Sequence, residues 1–200
     1  MSSATDTKNK NDGIFSMVRL GLILAAYAVA SCTVLALVNN FTSPVIEQNN
    51  IKKANEAMRA VFAEADDFEK VKDDSLPIDS LYFAKKGGNV IGAVAQVSGP
   101  TYDRATIMFG VNKDGLVTGL RFLENTDSPG FGLKASDPTF KLASGKTFYE
   151  QFAGKKVAEG FTAGKTFDAI TGATITSNGV AGLIETGCSV IDKYLKEAGK

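Results

Sequence analysis

Residues 80–99 read SLYFAKKGGNVIGAVAQVSG, and residues 105–124 read ATIMFGVNKDGLVTGLRFLE. In both stretches the apolar residues recur with a period of two, which is the pattern of half-buried strands. Each is interrupted by a reversal: Lys86-Gly87-Gly88-Asn89 in the first, Asn112-Lys113-Asp114-Gly115 in the second. Such residues supply the positive φ that a tight hairpin requires. Two successive hairpins predict an antiparallel sheet rather than the strand–helix alternation of a parallel one. No repeat of 20–50 residues accompanies them.

Downstream, NTDSPGFGLKASDPTF (125–140) is rich in Gly, Pro and small polar residues, with Phe131 set between Gly130 and Gly132. It reads either as a plain surface loop or as backbone thinned for the approach of a flat ligand. KTFYEQFAGK (146–155) predicts a short helix carrying Phe148 and Phe152 inward. In SNGVAGLIETGCSVIDKYLKEAGK (177–200), Val180, Leu183, Ile184, Val190, Ile191, Tyr194 and Leu195 form the apolar face of a terminal helix. Ser177 or Asn178 is placed to cap it, and Lys193 and Lys196 suit its C-terminal end.

Upstream, VIEQNNIKKANEAMRAVFAEADDF (45–68) has apolar residues spaced by three and four, which predicts a helix packing on the domain, and VKDDSLPIDS (71–80) is a loop. Leu20 to Val38 is a run of 19 residues without a charge. At about 1.5 Å per residue it spans a hydrocarbon core of roughly 30 Å. Arg19 precedes it, and Asn39, Asn40 and Pro44 close it. A cleaved signal peptide would have a shorter apolar region. VASC (29–32) loosely fits a lipobox, but the chain continues apolar from Thr33 to Val38 where a lipidated cysteine should open onto a polar tether. Lys8, Lys10 and Arg19 lie before the span, so the expected orientation puts residues 1–18 in the cytoplasm and the remainder outside. Residues 1–13 are polar and read as disordered.

Composition removes several kinds of chemistry. Twenty-two basic residues balance 22 acidic ones, leaving no electrostatic footprint for nucleic acid. The absence of histidine excludes a histidine-dependent triad and the commonest metal ligand. Cys32 and Cys188 are the only cysteines, and Cys32 falls in the membrane-like run, which argues against both a disulfide and a metal site.

The stretch FDAITGATITSNGV (167–180) crowds Thr171, Thr174 and Thr176 around Gly172-Ala173, with Asp168 just ahead. These hydroxyls read as a helix cap, a phosphate cradle or a point of attachment; the blander alternative is a final strand followed by an N-cap. Small neighbours leave the Thr174 hydroxyl open to another molecule. Thr171 suits a local hydrogen bond that holds the turn, and Thr176 a strand end or cap.

Asp168 to Thr174, DAITGAT, resembles the Asp-x-x-Ser/Thr-Gly-Ala-Thr motif of flavin transferase substrates. The resemblance implies that Thr174 receives FMN through a phosphoester, with FAD as donor, and that Asp168 serves recognition by the transferase. Thr171 occupies the motif's first hydroxyl position, followed by matching Gly172 and Ala173. TDSPGFG (126–132) is similar to the Glu-Thr-Pro-Gly-Leu-Gly segment of FMN-binding domains, with Asp127, Ser128 and Phe131 as the departures. Ser128, Gly130, Phe131 and Gly132 are therefore expected to line the flavin. Nearly the whole chain looks like the G-subunit family of the Rnf ion-translocating electron-transport complex, whose longer relative is the C subunit of the Na⁺-translocating NADH:quinone oxidoreductase.

The resemblance implies an α+β fold: one transmembrane helix, then one FMN-binding domain with antiparallel hairpins and a C-terminal helix. The expected parts are a cytoplasmic tail (1–18), the span (19–40), a helical linker packing on the domain (41–72) and the FMN-binding domain (73–200). It also implies an electron relay at the inner membrane, between ferredoxin and NAD⁺, with other Rnf membrane subunits as partners and a flavin transferase during maturation. No independent catalytic site and no metal are expected. A stand-alone extracytoplasmic carrier of covalent FMN, or an anchored sensory or structural module, would share much of this sequence.

Overall fold

The computed structural model describes residues 3–73 and 75–198. The chain divides into two compact units, residues 1–51 and residues 52–200. Helix α1 runs without interruption from Ser3 to Val61. Its stretch from Leu20 to Val38 carries its apolar side chains outward; Leu22, Leu24 and Leu35 are all about two-thirds exposed. By length and composition this helix is able to cross a membrane.

Two features of α1 differ from expectation. Residues 3–13, read as disordered, are helical, and Asn39, Asn40 and Pro44 do not end the helix. Extending a formed helix costs far less than nucleating one, so a polar tail without proline is readily recruited. Pro44 lacks an N–H and removes one ladder bond, but the helix resumes beyond it.

The second unit is built on a five-stranded antiparallel sheet in the order β1-β2-β3-β4-β5. The strands are β1 (Asp67–Lys70), β2 (Ser80–Lys86), β3 (Asn89–Pro100), β4 (Arg104–Asn112) and β5 (Val117–Asn125). The two expected hairpins are β2–β3 and β4–β5, and the short turn between Pro100 and Arg104 joins them into one meander. Strand β1 corrects the linker reading: helix ends at Val61, and Asp67–Lys70 pairs with the sheet edge.

Because side chains alternate along a strand, β3 and β4 have two distinct faces. Ala93, Ala95, Val97, Ile107, Phe109 and Val111 point to one, and helix α2 (Thr174–Ala198) covers it with Val180, Ile184, Cys188 and Ile191. Val94 and Met108 point to the other, beneath Ala57, Met58, Val61 and Phe62 at the end of α1. There Gly110 and Gly119 pair directly. A Cβ on Gly119 would stand 3.1 Å from Val61 Cα, and one on Gly110 only 2.9 Å from Phe62 Cδ2, so the helix end beds into the sheet. Thr118 Oγ1 donates to the orphan Val61 carbonyl at 2.5 Å.

Between β5 and α2 the chain forms irregular loops with three short 3₁₀ segments among the described residues. Phe148 and Phe152 are buried as expected, although the helix there is only Glu150–Phe152. Thr147 and Glu150 hydrogen-bond each other's backbone N–H, a reciprocal capping arrangement that holds the segment.

Candidate functional site

Two tight turns face each other near the start of α2. In the first, the Ala173 N–H donates to the Ile170 carbonyl at 2.9 Å and Gly172 has φ 80°. In the second, the Phe131 N–H donates to the Ser128 carbonyl at 3.3 Å, with Pro129 second in the turn and Gly130 third at φ 80°. Positive φ confined to the third position makes both type II turns, which is why glycine stands there. The Phe131 ring lies over Gly172: a Cβ on that glycine would meet Phe131 Cδ1 at 3.5 Å. The two segments singled out in the sequence are thus in contact.

Gly130 has nothing within 4 Å of a would-be Cβ, so among the described residues only its backbone angle constrains it. Gly130→Val should destabilise the domain by about 1–3 kcal/mol through that angle, and Gly130→Asn by clearly less, because asparagine tolerates positive φ. Denaturant unfolding of the two variants checks this; equal losses would remove the backbone explanation.

Helix α2 begins at Thr174, four or five residues earlier than a Ser177 or Asn178 cap implied. The turn is held by the Ala173 N–H rather than by Thr171, whose hydroxyl makes no hydrogen bond among the described residues. Ser177 instead sits inside the helix, accepting from the Ile170 N–H at 3.0 Å and donating to the Ala173 carbonyl at 2.9 Å. Thr176 is neither strand nor cap; it is 1% exposed and belongs to the first helical turn. Thr171 and Thr174 are both exposed. Among the described residues no acceptor reaches the N–H groups of Thr174, Ile175 and Thr176. These donors, with the partial positive charge of a 25-residue helix behind them, fit an anion such as a phosphodiester. Asp168 has an exposed side chain, while its backbone is clamped by Gln151 at 2.8 and 3.0 Å.

Asp127 lies behind both turns and is 2% exposed. Its Oδ1 accepts from Thr101 Oγ1 and from the Asp103 N–H, each at 2.7 Å, and its Oδ2 accepts from Thr176 Oγ1 at 2.5 Å. Gly132 packs directly on it, since a Cβ there would fall 2.7 Å from Asp127 Cβ. Burial pushes this carboxyl up, but the hydrogen bonds from Thr176, Thr101, Asp103 and Tyr102 outweigh burial and hold it below its ordinary range. It is therefore an ionised acceptor at neutral pH. Sequence reasoning met Asp127 only as a departure from a family segment, and did not find Thr101 or the role of Thr176. An acidic residue just before a Pro-Gly turn was the one available signal.

A cavity of about 850 Å³ lies elsewhere, between the β4–β5 turn and the C-terminal half of α2, with Phe161, Cys188 and Leu195 in its wall. Burial, with the charge of Glu185 adding to it, pushes the Cys188 thiol up to about 12, so it is a neutral packing group.

Residues 101–188 match the FMN-binding domain family, and residues 9–61 match the RnfG N-terminal region. The chain is 29% identical to the G subunit of the Na⁺-translocating ferredoxin:NAD⁺ oxidoreductase complex of Acetobacterium woodii, over 96% of this chain and all of the relative. It is 28% identical to the G subunit of the ion-translocating oxidoreductase complex of Cereibacter sphaeroides, over 88% of this chain and 85% of the relative. To the G subunit of the proton-translocating ferredoxin:NAD⁺ oxidoreductase complex of Clostridium ljungdahlii it is 29% identical, over 86% of this chain and 89% of the relative.

Proposed function

The chain belongs to the G-subunit family of the Rnf complex, and from that premise we propose that it is a single-pass membrane protein relaying electrons through FMN esterified to Thr174. As a member of that family with an FMN-binding domain, it is an electron-transfer component of an ion-translocating oxidoreductase. The observation that carries the finer reading is the exposed Thr174 hydroxyl at the first residue of α2, beside three N–H groups without acceptors among the described residues.

The residues have separable tasks in this reading. The N–H groups of Thr174, Ile175 and Thr176 neutralise the phosphodiester. Thr171, Gly172 and Ala173 shape the turn beside it, and Ser128, Gly130, Phe131 and Gly132 line the flavin from the facing turn. Asp168 presents its exposed carboxylate to the flavin transferase. Bound FMN supplies the one- or two-electron chemistry; the protein supplies position and electrostatics rather than acid–base side chains. Leu20–Val38 anchors the chain in the inner membrane, with residues 1–18 cytoplasmic, a span over 19–40, a helical linker from residue 41 to the end of α1 at Val61, and the FMN-binding domain, now including strand β1, outside. Electrons then pass between ferredoxin and NAD⁺ through the assembled complex, coupled to Na⁺ or H⁺ movement.

Purification of the full chain in mild detergent tests the assignment. The other Rnf membrane subunits should accompany it, together with flavin that survives denaturation; a lone flavoprotein would mean a stand-alone carrier, and a flavin-free chain would remove the redox role. For orientation, protease added to intact spheroplasts should digest residues 45–200. Full protection would reverse the topology drawn from Lys8, Lys10 and Arg19.

A further inference from the structure

Most large apolar side chains of residues 52–196 are buried or partly so. Three are conspicuous exceptions: Tyr102 is 65% exposed, Phe131 59% and Ile175 62%, and no other described residue of this unit joins them among the exposed large hydrophobics. They come from three distant parts of the chain, namely the β3–β4 turn, the loop after β5 and the first turn of α2. Each is a sequence neighbour of a group that touches one carboxylate. Tyr102 lies between Thr101 and Asp103, which both donate to Asp127 Oδ1. Ile175 precedes Thr176, which donates to Oδ2. Phe131 precedes Gly132, whose α-carbon leaves just enough room for the Asp127 side chain.

We propose that Asp127 is the positioning residue of the flavin site: by tying these three segments together it assembles Tyr102, Phe131 and Ile175 into one apolar seat for the isoalloxazine ring, next to the Thr174 tether. The proposal rests on the FMN reading above and adds to it two ring contacts, Tyr102 and Ile175, and the group that sets them. A flat tricyclic ring is the occupant that suits the position. The seat adjoins the anion-ready start of α2, and all its residues fall in the stretch that matches FMN-binding domains, 101–188. Asp127 acts only through the residues it holds, and its buried position keeps it off the ring itself. Exposed aromatic and aliphatic groups fixed in this way offer a ring a preformed surface, at little ordering cost on binding.

The test uses the full chain in detergent, co-expressed with a flavin transferase, with intact mass reporting the covalent adduct and circular dichroism reporting the fold. Flavin fluorescence anisotropy and the fine structure of the visible absorption band report whether the ring is seated. Tyr102→Ala and Ile175→Ala alter exposed side chains, so both should keep fold and adduct while anisotropy drops and the band broadens towards those of free FMN. Asp127→Ala should show the larger loss. Asp127→Asn should restore much of it, because its amide oxygen still accepts from Thr101 and Asp103 and its NH₂ can donate to Thr176. If Asp127→Ala fails to fold, the two exposed variants decide the matter. Wild-type anisotropy in both of them would overturn the seat, including the case where they weaken co-purification of other subunits and so mark a protein-docking face. Wild-type anisotropy in a folded Asp127→Ala chain would overturn the positioning role. A wild-type chain without adduct would instead overturn the reading on which the proposal rests, and mass alone distinguishes that failure.

Discussion

Thr174→Ala is expected to abolish covalent flavin completely while leaving the fold intact. The hydroxyl is the only atom group through which the proposed ester forms, and it takes no part in holding the structure: the side chain is exposed and makes no hydrogen bond among the described residues. An exposed side chain of this kind changes stability by no more than about 0.5 kcal/mol when removed. Flavin fluorescence in a denaturing gel should therefore vanish, and the melting transition should stay where it was. Thr171→Ala should keep its adduct, because its role is confined to the turn and that turn is closed by the Ala173 N–H. A Thr174→Ala chain that retained gel-stable flavin would refute the attachment.

Phe148→Ala should give the largest loss of stability. The ring is fully buried and meets Phe152 edge-on at 5.5 Å and Phe167 at 6.1 Å. Removing such a ring from a packed interior costs about 3–5 kcal/mol, the transfer term plus the cavity left behind. Phe167 immediately precedes Asp168, so the same cavity should loosen the segment that leads to Thr174. Denaturant unfolding monitored by circular dichroism measures the loss; a change below about 1 kcal/mol would mean that the aromatic cluster is not the support described here.

The parts of the fold that local pattern specifies were legible. Both hairpins turn where Gly87-Gly88 and the Asn112–Gly115 stretch allow it, but the period of two read as half-buried strands, whereas β3 and β4 are covered on both faces, by α2 on one and by the end of α1 on the other. Strand β1 was not legible, because Asp-Phe-Glu-Lys at a sheet edge offers one apolar residue in four and its identity as a strand comes from pairing with β2. The start of α2 was misread for a related reason. Ala173 has no side-chain oxygen to announce a cap, whereas Ser177 and Asn178 look like caps although they lie inside the helix. Pro44 misled in the opposite direction, since a proline signals a helix end more strongly than this continuous helix obeys it.

At the site, the sequence brought forward Thr171–Thr174 and Ser128–Gly132, and the structure places those segments in contact through Phe131 and Gly172. It did not bring forward the group that joins them. Asp127 takes its partners from Thr101 and Thr176, 26 and 49 residues away, and no local spacing encodes a contact of that range. The same holds for the exposed Tyr102 and Ile175, whose neighbours Thr101, Asp103 and Thr176 meet at one carboxylate only in the folded chain.

The central claim is that a single hydroxyl, that of Thr174, carries FMN. Full-length chain co-expressed with an active flavin transferase should gain a mass equal to FMN minus one water, and fragmentation of its tryptic peptides should place that mass on Thr174. The same added mass on Thr171 or on buried Thr176, or no added mass at all, would contradict the account.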